Sequence, residues 1–401
     1  MRGIPAVIVA GTVAVATIMA TSLPGLAPAQ AARAGTVRVP CSVRALVVAL
    51  TGVSSGEELS LERNCTYLLT RGLPVVSADL VILGNGATLK RSYAPGTPAF
   101  ILLASDAAFL TVSRLSFRNG DGAITMGGGQ LTVTGGTFTG NAAADGGAIS
   151  ELVVKTGYNG PVVSNATFIA NRAADSGGAI FDGDSALEGI QVTDCTFSGN
   201  LAANFGGAIY DFSVGETVSG STFVGNQGGN GGALFLDPAG LAGMSGDVLK
   251  SNRATRDGGA IYALYGLNIA KSKVLDNGAG DMGGGLYIDP RNIFDLATDT
   301  EFIGNSAQDG GGIANQGFLE LSDVTISRNR ASALGAGIYN EAFFEAGNSP
   351  IVRNAAASGG GGIYNDINNE NFGTPALTNS SVLNNRPDNC EPLGSVPGCT
   401  G

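Results

Sequence analysis

Asparagine returns along this chain at a nearly constant interval. It stands at Asn119, Asn141, Asn171, Asn200, Asn226, Asn252, Asn277, Asn305, Asn329, Asn354 and Asn385, with 22 to 31 residues between successive members. A glycine-rich linker has no reason to keep such a period. Self-similarity of this kind decides a fold before any other signal, because each repeat is a unit that buries its apolar face only against its neighbours.

Two apolar columns run with the asparagine. Three residues before it stand Phe138, Phe168, Phe197, Phe223, Leu249, Val274, Phe302, Ile326, Ile351 and Val382. The residues just before these are mostly polar, as at Thr137, Thr167, Thr196 and Thr222. Such alternation is the mark of a strand with one buried face. After the asparagine come a short loop and Gly-Gly-Ala-Ile or a variant, ending on Ile149, Ile180, Ile209, Leu234, Ile261, Leu286, Ile313, Ile338 and Ile363. Short strands with no helical period predict an all-β chain. The expected architecture is a single-stranded, right-handed parallel β-helix, the pectin lyase-like solenoid. Eleven coils would stack about 4.8 Å apart, for a length of about 50 Å. Phenylalanine and isoleucine would fill the bore. Asn141, Asn171, Asn200, Asn226, Asn252, Asn277, Asn305, Asn329 and Asn354 would bond to amides above and below, as stacked amide ladders do.

The ends need separate treatment. Arg2, an apolar run over 4–20, and the small-x-small sites Ala29-Gln-Ala31 and Ala32-Arg-Ala34 read as an export signal over 1–34. The cap and first coils follow over 35–100, the repeat array over 101–386 and a tail over 387–401. Ser42 is a candidate N-cap and Gly52 a stop. Between them Val43, Leu46, Val47 and Leu50 fall on one helical face, which predicts a short capping helix over the open end of the first coil. Export permits disulfides. Cys41–Cys65 would bracket the N-terminal region and Cys390–Cys399 would staple the tail, although spacing leaves the connectivity open. Cys195 is left over inside a strand and reads as a small buried apolar residue.

The paired motifs resemble the repeat of the chlamydial polymorphic outer membrane proteins. Phe138-Thr-Gly-Asn141 with Gly146-Gly-Ala-Ile149 carries the likeness, as do Phe168–Asn171 with Gly177–Ile180 and Phe197–Asn200 with Gly206–Ile209. Phe223–Asn226 and Phe302–Asn305 keep the first half. The resemblance implies a secreted or cell-surface β-helix engaged in adhesion. Cys41-Ser-Val-Arg-Ala-Leu-Val47 is similar to the CSLREAI motif at the start of bacterial β-helix proteins, through Cys41, Ser42 and Arg44. That likeness implies export and architecture.

Chemistry is constrained by an absence of histidine, which removes Ser-His-Asp triads, Cys-His pairs and most zinc or copper sites. With 22 basic and 33 acidic side chains the net charge is −11, and it becomes −13 if residues 1–34, which hold Arg2 and Arg33 and no acid, are removed. Such a balance argues against nucleic acid as a partner. No transmembrane segment is read in the mature chain.

Three site readings remain. A polysaccharide lyase or hydrolase would need carboxylates and a base, for which Asp182, Asp184, Asp211 and Arg172 are the candidates. The plainer reading places these acids on solvated turns. Asp145, Asp175, Asp257, Asp281 and Asp309 recur after the asparagine. They read as turn residues bonding the backbone N–H groups of the Gly-Gly that follows, with calcium held between coils as the alternative and no other cofactor expected. Finally Phe181, Tyr210, Phe235, Tyr262, Tyr287, Tyr339 and Tyr364 follow the isoleucine column. Alternation points them outward as an aromatic stripe for a sugar or protein partner. The favoured expectation is a secreted, non-enzymatic β-helix that binds an extracellular glycan or surface protein.

Overall fold

A computed structural model of the chain describes residues 35–94, 97–151, 159–183, 189–213, 215–237, 241–292, 294–366 and 375–400. The export signal expected over 1–34 and the candidate Asp184 lie outside the described residues.

Residues 35–400 form a parallel β-solenoid. Each coil contributes one strand to each of three sheets. In one coil Gln191–Thr193 joins a fourteen-stranded long sheet, Thr196–Ser198 joins a thirteen-stranded phenylalanine sheet, and Ile209–Asp211 joins a twelve-stranded isoleucine sheet. A two-residue strand, Leu201–Ala202, lies between the last two. The next coil repeats the circuit one strand further along, in register: Phe168 pairs Phe197, which pairs Phe223, while Ile180 pairs Ile209, which pairs Leu234. Thirteen strands in the phenylalanine sheet exceed the eleven coils counted from asparagines, because the first coils carry none at the corner.

The in-register columns make the core. Phe117, Phe138, Phe168, Phe197 and Phe223 stack ring on ring, with successive centroids 5.0, 4.8, 4.7 and 4.7 Å apart, and all are fully buried. Val192, Val218, Met244 and Ile269 line the long-sheet wall opposite.

Asparagine forms the ladder expected of it. Asn200 Nδ2 donates to Asn226 Oδ1 at 2.9 Å and to the Phe168 carbonyl of the coil below at 3.1 Å, while Asn200 N–H donates to Asn226 Oδ1 at 3.0 Å. The same pattern runs from Asn141 to Asn385, so buried amides satisfy one another and the corner backbone. Asn119 is not a rung. Phe117 pairs Phe138, so Gly120 occupies the slot, and its N–H donates to Asn141 Oδ1 at 2.9 Å. At the far end Asn389 Oδ1 accepts from Asn385 Nδ2 at 3.2 Å and closes the ladder.

Glycine is required in the Gly-Gly turn for two separate reasons. Gly206 has φ +59°, and a Cβ there would lie 2.0 Å from the Ile209 carbonyl oxygen. At Gly207 a Cβ would lie 2.1 Å from the Gly232 carbonyl of the next coil.

Both ends are covered. Helix α1, Val43–Thr51, begins with Ser42 Oγ accepting from Ala45 N–H and buries Leu46 and Leu50. One strand precedes it: Thr36–Val39 pairs Glu57–Leu61 at the edge of the long sheet, an element the apolar pattern did not announce. Disulfides join Cys41 to Cys65 and Cys390 to Cys399. Cys390 also pairs Ile363, so the tail adds a final strand to the isoleucine sheet.

Candidate functional site

The aromatic stripe exists as a ladder, but much of it does not face solvent. Phe181, Tyr210, Phe235 and Tyr262 stack at centroid distances of 5.2, 5.5 and 4.7 Å, and Tyr262 meets Tyr287 at 4.7 Å. Ala314 interrupts the column, which resumes with Tyr339 and Tyr364 at 5.5 Å. The side chains point away from the bore as alternation requires. However, Phe235, Tyr262 and Tyr287 are only 6 to 7 % exposed. Phe205 and Met282, from the variable turns after the asparagine, fold over them, and Arg256 lies 5.9 Å above the Phe205 ring. Phe181, Tyr210, Tyr339 and Tyr364 remain half-buried. The expectation of a continuous exposed stripe is therefore corrected. The stacking also uses the ring faces, while a sugar ring packs against a free face.

Around the buried tyrosines the hydroxyls are engaged. Tyr262 Oη donates to Asp289 Oδ2 at 2.6 Å, and Arg291 grips the same carboxylate with Nε at 2.8 Å from Oδ1. Burial alone would raise Asp289, but the hydrogen bonds from Arg291 and Tyr262 outweigh it and hold the carboxyl below its usual range. Burial and the nearby carboxylates push the Tyr262 and Tyr287 hydroxyls upward. Tyr339 Oη donates to Glu341 Oε1 at 2.7 Å, so this end of the ladder is anchored as well.

The lyase candidates do not form an open site. Asp182 and Asp211 are neighbours in register, with Glu151 before them, but all three are fully buried. They are not on solvated turns, because each stands two residues after an inward isoleucine and points inward too. Ser213 Oγ donates to Asp211 Oδ1 at 2.5 Å and contacts Asp182 Oδ2 at 3.1 Å. Glu216 lies within hydrogen-bond reach of Asp211, and neither Glu216 oxygen meets an N–H or O–H donor among the described residues. Burial, with the nearby carboxylates, lifts Asp211 well above the usual carboxyl range and Glu216 to about 8. Arg172 sits at another corner, on the exposed face of the two-residue strand Arg172–Ala173.

The recurrent turn acids bond the next coil rather than their own Gly-Gly. Asp145 Oδ1 accepts from Ser176 N–H at 3.0 Å, Asp257 from Met282 N–H at 3.0 Å and Asp309 from Leu334 N–H at 2.8 Å. Asp175 takes its hydrogen bond from Asn204 Nδ2. Asp281 lies in the same turn column. No group of three acidic or sulfur ligands converges on a common point among the described residues.

A second polar ladder escaped the sequence reading. At the corner between the long and phenylalanine sheets, Ser221 Oγ accepts from Cys195 N–H at 3.1 Å, Asp247 Oδ1 from Ser221 N–H at 2.8 Å and Ser272 Oγ from Asp247 N–H at 3.1 Å. The signal was present as a small polar residue five or six positions before most asparagines. Cys195 is buried among these strands, and burial pushes its thiol to about 11.

These corners belong to a repeat that can be placed. Residues 194–211, which hold Phe197, Asn200 and Gly206-Gly-Ala-Ile209, match the Chlamydia polymorphic membrane protein repeat. The chain is a β-helix repeat protein with repeats of that type. The match covers that one repeat, and the two disulfides are of the kind that persist in oxidising compartments. No curated protein matches the chain. Among the described residues no helix is long and apolar enough to cross a membrane.

Proposed function

We propose that this solenoid is exported and works at or outside the cell surface by binding a glycan or a protein partner, without catalysis. The observation that carries the reading is the polymorphic membrane protein repeat at 194–211, set in a coil whose polar groups serve the fold. The acids suited to lyase chemistry, Asp182 and Asp211, are sealed inside the coil, where no polysaccharide reaches them. The turn carboxylates Asp145 and Asp309 accept backbone hydrogen bonds from the next coil, which supports a structural use for them.

Purified chain, fluorescently labelled, should bind saturably to intact cells or isolated envelope and leave polygalacturonate uncleaved in the presence of calcium. An absence of retention on every cell, envelope and glycan surface tried would overturn the binding role. Release of unsaturated sugars would overturn the non-catalytic one.

A further inference from the structure

The asparagine corner separates charge in a way the whole-chain balance hides. Around each rung from Asn141 to Asn385, the residue two before, the one before and the one after the asparagine are the flanking positions. They hold seven basic side chains, Arg172, Lys250, Arg253, Arg328, Arg330, Arg353 and Arg386, against one acid, Asp276, in a chain where acids outnumber bases by 33 to 22. All seven are exposed, and none takes part in an ion pair among the described residues. Register continues the column into the coil below, where Arg118 pairs Thr139 and Lys90 pairs Arg118.

The spacing is regular. Arg172, Arg253 and Arg330 each follow a rung, and each is three coils from the next. At about 4.8 Å per coil that is about 14 Å. Arg328, Arg330, Arg353 and Arg386 then gather within three successive coils. Asp276 is the one acid within the stripe, and other acids of the neighbouring strands and turns are engaged elsewhere. Glu301 lies 3.9 Å from Lys273, and Asp145, Asp257 and Asp309 stand beyond the two-residue strand, bonded to backbone N–H groups.

We infer that this corner docks an extended anionic polysaccharide along the solenoid axis, an inference that rests on the proposed surface-binding role and names its ligand class. Charge complementarity selects a polymer, because one small anion would engage only one cluster. The flanking positions contain no aromatic side chain on which the bases of a single-stranded nucleic acid would stack, which favours a glycan.

The test measures binding of the purified chain to dextran sulfate, with neutral dextran of equal length and duplex DNA as parallel arms. The wild-type chain should bind dextran sulfate and not dextran, losing about ten-fold or more in affinity between 50 and 200 mM salt. The quadruple variant Arg328→Gln, Arg330→Gln, Arg353→Gln, Arg386→Gln should melt as wild type and bind about ten-fold more weakly. The single change Arg253→Gln gives a smaller loss and serves should the quadruple variant misfold. Unchanged affinity in the folded variants, no binding of dextran sulfate, or equally tight binding of DNA overturns the inference. If wild-type chain is retained on cells while dextran sulfate is ignored, the anionic ligand is wrong and the surface role stands; loss of both removes the surface role too.

Discussion

Asn200 and Asn226 are joined by two hydrogen bonds to one oxygen: Asn226 Oδ1 accepts Asn200 Nδ2 at 2.9 Å and Asn200 N–H at 3.0 Å. Because Asn226 Nδ2 in turn donates to Phe197 O and Asn252 Oδ1, both ends of the amide are needed. Asn226→Ala should cost about 2–4 kcal/mol by orphaning several buried groups. Asn226→Asp should cost more, since a carboxylate faces two acceptors. Denaturant titration gives the loss, and amide exchange at Asn200 should speed up first. Unaltered protection at Asn200 would mean the ladder contributes nothing.

The two glycine environments separate strain from clash. Gly199 has φ +62° with nothing within 4 Å of a built Cβ, whereas Gly206 would drive a Cβ into Ile209 O. Gly199→Ala should cost about 1 kcal/mol, the ordinary left-handed penalty. Gly206→Ala should cost several-fold more or prevent folding. Equal melting temperatures for the two variants would contradict this.

The Asp211–Glu216 pair makes stability fall as pH rises. Both carboxyls titrate higher folded than unfolded, and Asp182 and Asp247 add negative charge nearby. The Glu216 contribution is complete below its ordinary value of 4.5 and is lost as pH climbs through the folded value of about 8, and Asp211, raised from 3.8, acts in the same direction, because the unfolded chain releases protons that the folded chain keeps. Glu216→Gln should flatten this dependence and exceed wild type by about 1–3 kcal/mol at pH 8. Urea midpoints at pH 5 and pH 8 give the answer, and parallel pH profiles for the two chains would show that Glu216 is not raised by folding.

Tyr262 and Tyr287 should behave as structural residues. Tyr262→Ala removes a buried ring and leaves Asp289 without its hydroxyl donor, so about 3–5 kcal/mol should be lost. Calorimetry on each alanine variant measures it. A melting temperature within a degree of wild type would show that the covering turns carry no packing load.

Cys195 should be silent to thiol reagents. Its burial and a thiol raised to about 11 leave almost no thiolate at pH 8. Labelling should appear only in denaturant, with a stoichiometry of one per unreduced chain. Rapid labelling of the native chain would show that this strand opens.

The solenoid was legible because parallel in-register stacking lays equivalent residues on one another, so a column in the alignment becomes a column in space. Phe168, Phe197 and Phe223 illustrate it, as does the asparagine ladder. Asp182 and Asp211 were misplaced although alternation had put them two residues after an inward isoleucine. Their polarity argued for solvent, and the structure instead seals them inside the coil, where the Ser213 hydroxyl reaches both.

By itself, then, the sequence determined the period, the two apolar columns, the glycine turns, the capping helix and the corner at which asparagine pairs with asparagine. Those features depend on contacts between equivalent positions, which a repeat writes many times over. What lies over the aromatic ladder, which carboxyls are sealed, and where Arg253, Arg330 and Arg386 line up were decided only in three dimensions. Loops of unequal length carry Phe205 and Met282 across coils, and the sign of the charge at a corner is a sum over residues far apart in the chain.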